Sequence, residues 1–351
     1  MPEFILDNII RENVKKLIPY SSARSEFEGD AQIFLDANEN SLGSSFNNNF
    51  HRYPDPLQKQ LKEVISSIKN ISTENIFIGN GSDEAIDLLI RAFCNPSKDN
   101  ILIFPPTYGM YEVAAEINDV AINKILLTED FQLNMEAVKS AIDANTKIIW
   151  VCSPNNPTGN LLAEESIEWL LQNFNGIVVV DEAYVDFTNK ESWIIRLNEY
   201  PNLVVLQTLS KAWGLAGLRI GFAFASSAVI NVLNKIKPPY NISEATQQLA
   251  YLALQNEDET KEKIIILNQQ KERLLQEFQQ FDFIKKISPS DANFILIKVE
   301  NANDLYKNLL SKNIVVRNRS NQPLCENSLR ITVGTPEEND ALLNALKDYQ
   351  S

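Results

Sequence analysis

The 351-residue chain carries 46 acidic against 32 basic side chains, a formal net charge of −14, and 44% hydrophobic residues. That composition is globular, which excludes disordered and collagen-like chains, and its acidity opposes the basic footprint of a nucleic-acid binder. The length points to two domains; no apolar run reaches the roughly 18–20 residues that cross a bilayer, and the N-terminal MPEFILDNIIRENV holds acids within its apolar stretch, unlike a signal peptide, so a cytoplasmic protein with no membrane partner is expected.

In chain order, Leu57, Leu61, Val64, Ile65 and Ile68 recur at helical spacing, and Ile86, Leu89, Ile90 and Phe93 do so again after GNGSDE at 79–84. Short β-branched runs at 76–78, 101–104, 147–151, 177–180, 203–206 and 220–225 suit strands buried on both faces of a parallel sheet. A helical pattern through Ile167, Leu170, Leu171 and Phe174 separates two of them, so the middle of the chain alternates strand and helix as βαβ units require. Pro238 and Pro239 then stop any helix. A long charged helix is expected over about 244–281, followed by strands at 293–299, 314–316 and 329–333 and helices at 304–310 and 336–349. The expected organisation is an N-terminal arm with a small-domain segment at 1–49, a large α/β domain at 50–240 whose mostly parallel sheet lies between helices, and a smaller α+β domain at 241–351.

Cys94, Cys152 and Cys325 are widely spaced without a CxxC pair, so neither a disulfide framework nor a structural metal site is expected, and they read as small apolar residues. His51, the single histidine, lies in the turn-like FHRYPDP and reads as a loop residue.

GNGSDE follows a strand and opens a helix, but the third glycine position of GxGxxG is Glu84 and no Gly-Lys-Ser/Thr follows, so neither a dinucleotide fingerprint nor a P-loop is present. What remains is a glycine turn, capped by Ser82, whose backbone N–H groups can hold an anion; a plain capped helix is the alternative. SPNNPTGN at 153–160 is a loop at a strand's carboxyl end, where open α/β sheets bind ligands. Asp181 directly follows an apolar strand in VVVDEAYVDF, where a carboxylate needs a cation or donors unless it only caps a helix. SKAWGLAGLRIGF at 210–222 sets Lys211 among small apolar neighbours, which lowers an amine's proton affinity and favours Schiff-base chemistry over a solvated surface role. Together these segments ask for one ligand with a phosphate, an aromatic nitrogen and an aldehyde, as in pyridoxal phosphate.

With PYSSAR (19–24), LDANEN (35–40), RYPDP (52–56), PPTYGMY (105–111) and LRITVGTPEEN (329–339), the chain resembles the fold-type I pyridoxal-phosphate aminotransferases over nearly its whole length, and within them the histidinol-phosphate aminotransferases. The resemblance implies that Lys211 bonds the cofactor aldehyde and then moves the substrate proton, that Asp181 pairs with the pyridine nitrogen, that Asn156 and Tyr184 hydrogen-bond the ring oxygen, and that Tyr108 lies against the ring. It implies a cofactor phosphate held by the backbone at Ser82, Asp83 and Glu84, with both acidic side chains turned away, and by Thr208, Ser210, Arg219 and, in a homodimer with shared sites, the partner subunit's Tyr53. Arg330, with Arg317 and assisted by Tyr20, would receive in turn the phosphate of histidinol phosphate and the carboxylate of glutamate or 2-oxoglutarate, in a transamination of histidine biosynthesis. Competing expectations are an aromatic or other amino-acid aminotransferase, a phosphothreonine decarboxylase and a non-catalytic sensor fused to a DNA-binding module. The acidic charge and the start of the match near Pro19 count against the last.

Overall fold

The apolar runs of the middle of the chain enter one seven-stranded sheet, in a computed structural model that describes residues 4–20, 33–46 and 50–350. Its strands are β1 (Ile76–Asn80), β2 (Asn100–Ile103), β3 (Ala121–Lys124), β4 (Thr146–Cys152), β5 (Ile177–Asp181), β6 (Leu203–Thr208) and β7 (Ile220–Ala225), in the order β1-β7-β6-β5-β4-β2-β3. β7 runs antiparallel to both its neighbours, and the other pairings are parallel. The carboxyl ends of β1, β2, β4, β5 and β6 therefore open on the same edge of the sheet.

Alternation along the strands divides the large core in two. Val178, Val180, Ile149 and Val205 face one side, where α2 (Lys59–Lys69) and α6 (Glu164–Asn173) cover them; Ile177, Val179, Trp150 and Leu206 face the other, under α3 (Gly81–Phe93), α4 (Met110–Ile117) and α7 (Ser227–Ile236). Each valine of the β5 run is fully buried, worth on the order of 1.5–3 kcal/mol per side chain. β3 is the exception to the apolar rule: a short edge strand of sequence AINK, it is partly exposed along its length and carries no sequence signature.

A second core surrounds an antiparallel sheet of β8 (Ile284–Ile287), β9 (Phe294–Val299), β10 (Arg317–Asn318) and β11 (Ser328–Thr332), in the order β10-β11-β9-β8, with α9 (Glu257–Phe278), α10 (Ala302–Ser311) and α11 (Pro336–Gln350) packed on it. The single helix expected over 244–281 is broken into α8 (Glu244–Leu254) and α9 by Gln255 and Asn256, and the strand expected at 314–316 lies instead at 317–318. Ala250 and Leu254 of α8 are buried in the large core, so we place the division between α8 and α9 rather than at residue 240. In the N-terminal arm, Ile9 and Val14, the latter on the helix Glu12–Lys16, pack on the large core, and the Arg11 N–H donates to Ala92 O at 3.0 Å. The three cysteines are buried and free.

The two cores meet at the loop after β4. Gly159 has a φ of +86°, and an added Cβ would lie 2.6 Å from Ser290 Oγ, while Asp291 N–H donates to Gly159 O at 2.7 Å; a larger residue would hold the small core off. Among the described residues no helix is long and apolar enough to cross a membrane.

Candidate active site

A cavity of about 570 Å³ opens where the strand ends of the large core face the arginines of the small one. Its floor is Asp181, the last residue of β5. The alternation that buries Ile177 and Val179 against α3 and α4 turns Asp181 to that same face, and its successor Glu182 to the opposite one. Asp181 is 2% exposed; its Oδ2 accepts the Tyr111 hydroxyl at 2.6 Å and its Oδ1 the Ala183 N–H at 3.1 Å. Burial drives its pKa up to about 6, against the pull of the Tyr111 phenol and the Ala183 N–H.

Lys211 projects from the turn after β6 into the cavity, with Nζ 5.6 Å from the centre of the Tyr184 ring. Its proton affinity is lowered, first by burial against these walls and then by the Arg330 guanidinium, while Asp181 and Asp83 oppose the shift. An amine so placed spends more time unprotonated near neutral pH, as a nucleophile or proton carrier requires.

Beside it the start of α3 forms an anion cradle. Gly81 has a φ of +70° and its N–H donates to Arg219 O at 2.8 Å; an added Cβ there would lie 2.6 Å from Arg219 Nη2. Gly221 on β7 is equally constrained, because a Cβ would meet the Ser82 nitrogen at 2.1 Å. The backbone N–H groups of the first helical turn, the hydroxyls of Thr208 and Ser210, 3.0 Å apart, and Arg219 surround one point. The expectation that both acidic side chains turn away holds only for Glu84, whose Oε2 accepts the Asn80 N–H at 2.6 Å and Asn241 Nδ2 at 3.1 Å. Asp83 instead faces inward, where Tyr108 Oη donates to it at 2.9 Å and Arg219 Nη2 at 3.2 Å; two donors compensate its charge.

On the small-core side, Arg330 of β11 and Arg317 of β10 are directly opposite in register, with Arg319 two residues further along the same face. Arg330 Nη1 donates to Asn156 Oδ1 at 2.6 Å and its guanidinium lies 5.2 Å from the Phe294 ring centre. Among the described residues none of these arginines has a carboxylate partner, and the Nε groups of Arg319 and Arg330 are buried without an acceptor. Burial and the neighbouring Arg330 and Arg317 lower the pKa of Arg319 to about 10. Like charges opposed across two strands repel, and a bound anion relieves them.

Of the residues named from sequence, Ser82, Asp83, Tyr108, Asn156, Asp181, Tyr184, Thr208, Ser210, Lys211, Arg219, Arg317 and Arg330 line this one cavity. Glu84 does not, and neither do Tyr53 and Tyr20. Tyr53 is 51% exposed and stacks on Tyr240 with ring centres 4.5 Å apart; Tyr20 is 76% exposed. The arginine Arg319 and the buried Tyr111 were not singled out by sequence. The spacing RNR at 317–319, which puts both arginines on one face of a strand, is the signal that could have found the first.

The donor set fits pyridoxal phosphate: a buried carboxylate for a ring nitrogen, an amine for an aldehyde, and a glycine-lined cradle with no room for a Cβ for a phosphate. The sequence model of the family described as "Aminotransferase class I and II" matches residues 27–346. A histidinol-phosphate aminotransferase of Flavobacterium johnsoniae is 55% identical over 350 residues, 99% of each chain, and one of Cytophaga hutchinsonii is 53% identical over 99% of each. Among solved structures, the histidinol-phosphate aminotransferase of Clostridium acetobutylicum superposes with a TM-score of 0.80 at 26% identity, covering 86% of this chain and 91% of that one. The L-threonine-O-3-phosphate decarboxylase of Porphyromonas gingivalis superposes with a TM-score of 0.74 at 25% identity and the same coverage. A family match spanning most of the chain, with full-length relatives above half identity, leaves one assignment: the chain belongs to the class I and II aminotransferases.

Proposed function

We propose that the protein, with pyridoxal phosphate as cofactor, transfers the amino group of L-histidinol phosphate to 2-oxoglutarate, giving imidazole acetol phosphate and L-glutamate. The observation that carries this reading is the set of opposed arginines, Arg317, Arg319 and Arg330, unpaired with any carboxylate among the described residues. So much uncompensated positive charge suits a phosphate dianion better than a lone carboxylate. The names of the full-length relatives support the same substrate.

When bound, the cofactor supplies an aldehyde that takes up the amino group and an electron-poor ring that spreads negative charge from the substrate Cα. The chain does the rest. Lys211 Nζ removes the proton from the substrate Cα and carries it across the same face; Asp181 holds a proton at the ring nitrogen; Asn156 and Tyr184 hydrogen-bond the ring oxygen, and Tyr108 covers the ring. Ser82, Asp83 and Glu84 offer backbone N–H groups to the cofactor phosphate, and Thr208, Ser210 and Arg219 add side-chain donors. Arg330, positioned by Asn156, takes the anionic end of either substrate, with Arg317 beside it. We extend the reading to a cytoplasmic homodimer in which the partner subunit's Tyr53 reaches the cofactor phosphate and Tyr20 assists the substrate phosphate; the exposure of both side chains in the single chain supports this.

A panel of amino donors tests the proposal. Histidinol phosphate should exceed aromatic amino acids in kcat/KM by orders of magnitude, and O-phosphothreonine should release no carbon dioxide. A preference for an aromatic amino acid, or carbon dioxide from phosphothreonine, would replace the proposed activity with another of the same fold.

A further inference from the structure

We infer that Tyr111 is a positioning residue for the reaction: donating from inside the sheet core to Asp181 Oδ2 at 2.6 Å, its phenol orients that carboxylate and keeps it negative toward the cofactor ring nitrogen. The inference rests on the reading above, in which Asp181 faces that nitrogen.

Packing alone does not require a hydroxyl here. The Tyr111 ring is fully buried, stacked on Trp150 with centres 4.8 Å apart and planes 14° off parallel, and edged by Tyr108 at 5.6 Å. A phenylalanine would fill that volume, and a phenol in such a place is costly unless its O–H finds an acceptor. Its acceptor is the carboxylate on the cavity floor. The ring cannot swing away between Trp150 and Tyr108, so the hydroxyl fixes one rotamer of the aspartate.

The chemistry of the donor matters as much as its place. The groups facing Asp181 are Tyr111 from α4, Cys152 at the end of β4, Asp83 from α3, Tyr108 before α4, Tyr184 after β5 and Lys211 after β6. Burial and Asp83 push the aspartate toward its neutral form; Tyr111 is the first of the influences that oppose them. A cation in this position would cancel the negative charge that the ring nitrogen needs. A neutral phenol stabilises the carboxylate and leaves its charge whole.

Tyr111→Phe tests this with readouts other than turnover. In cofactor-free protein labelled at aspartate carboxyl carbons, the Asp181 midpoint, assigned by its absence in Asp181→Asn, should rise by about one pH unit or more, the loss of a hydrogen bond to a charged group. In protein loaded with ¹⁵N-labelled pyridoxal phosphate, the ring-nitrogen resonance near neutral pH should move from the protonated toward the unprotonated position. Replacing Tyr111 by 3-fluorotyrosine, a stronger donor of the same shape, should lower the midpoint, and this variant decides the matter if Tyr111→Phe does not fold. An unchanged midpoint in either folded variant overturns the inference. A midpoint that moves as expected while the ring nitrogen ignores both changes overturns the pyridine role of Asp181 and, with it, the reading on which the inference rests; wild-type inactivity on histidinol phosphate with both signals moving refutes only the substrate.

Discussion

Lys211 is the one residue in the cavity that joins an accessible amine to a lowered proton affinity, with burial as the main cause and Arg330 as the second. Borohydride reduction of the loaded protein should therefore trap cofactor on Lys211, and Lys211→Ala should lose the adduct and slow transamination by roughly 10²- to 10⁴-fold or more. Mass mapping of the reduced peptide checks it; an adduct on another lysine refutes the assignment. The two consecutive carboxylates of β5 and its turn make a second claim. Burial raises Asp181 to about 6 and Glu182 to about 7, the latter against donors from Ser192, the Trp193 N–H and Gln207. Both folded-state values lie above the unfolded ones, so the folded protein binds more protons than the unfolded chain and loses stability as pH rises. The cost is absent below about pH 4, grows through pH 5 and 6, and is complete above about 7. Each group accounts for roughly 3 kcal/mol. Denaturant unfolding of cofactor-free protein at pH 5.5 and 8 should show the decline, and Asp181→Asn should lessen it while the Glu182 part persists; a steady rise in stability across that interval would contradict the assignment.

At the scale of elements, the phosphate cradle depends on a strand that never touches the ligand. Gly221 lies on β7 opposite Gly79 of β1, and its missing side chain is what lets the start of α3 settle onto the sheet. Gly221→Ala should displace the Ser82 backbone, cost about 1–3 kcal/mol of stability and weaken cofactor binding about tenfold or more, readable by spectroscopic titration. Loss of stability without loss of cofactor affinity would show that the cradle adjusts. The central strands were legible because burial on both faces writes a continuous apolar run, as in VVV before Asp181. β3 and β8 were not, since AINK and IKKI are partly exposed and read like loop or helix. The break at Gln255–Asn256 was also hidden: neither residue forbids a helix, and only the packing of Leu254 on the large core sets the turn. In the site, motif residues announced themselves by type and spacing, whereas Tyr111 reads as one more apolar position of α4 until the fold brings Asp181 to its hydroxyl.

For the whole molecule, the proposed dimer makes a mixing experiment decisive. Tyr53 stacks on Tyr240 at the surface of its own chain and lies outside its own cavity. Tyr53→Phe homodimers should bind cofactor about tenfold more weakly, the loss of one donor to a charged group. In a mixed dimer of Lys211→Ala and Tyr53→Phe subunits, a tyrosine acting across the interface leaves the lysine-competent site with both groups intact, and that site should regain wild-type affinity. Affinity as weak as in the Tyr53→Phe homodimer would place the tyrosine within its own subunit.

The arginines proposed to face the substrate and the residues proposed to face the cofactor are carried on different cores, joined across the cavity by Arg330 and Asn156. Arg317 and Arg319 sit on or just beyond one two-residue strand, and the hairpin from Arg319 to Ser328 closes on hydrogen bonds of its own, with Cys325 anchoring it in the large core. Descent with modification can therefore rewrite that hairpin after a gene duplication, retargeting the enzyme to a new acid or phosphate ester, while the inherited machinery around Lys211 and Asp181 passes unaltered from ancestor to paralogue.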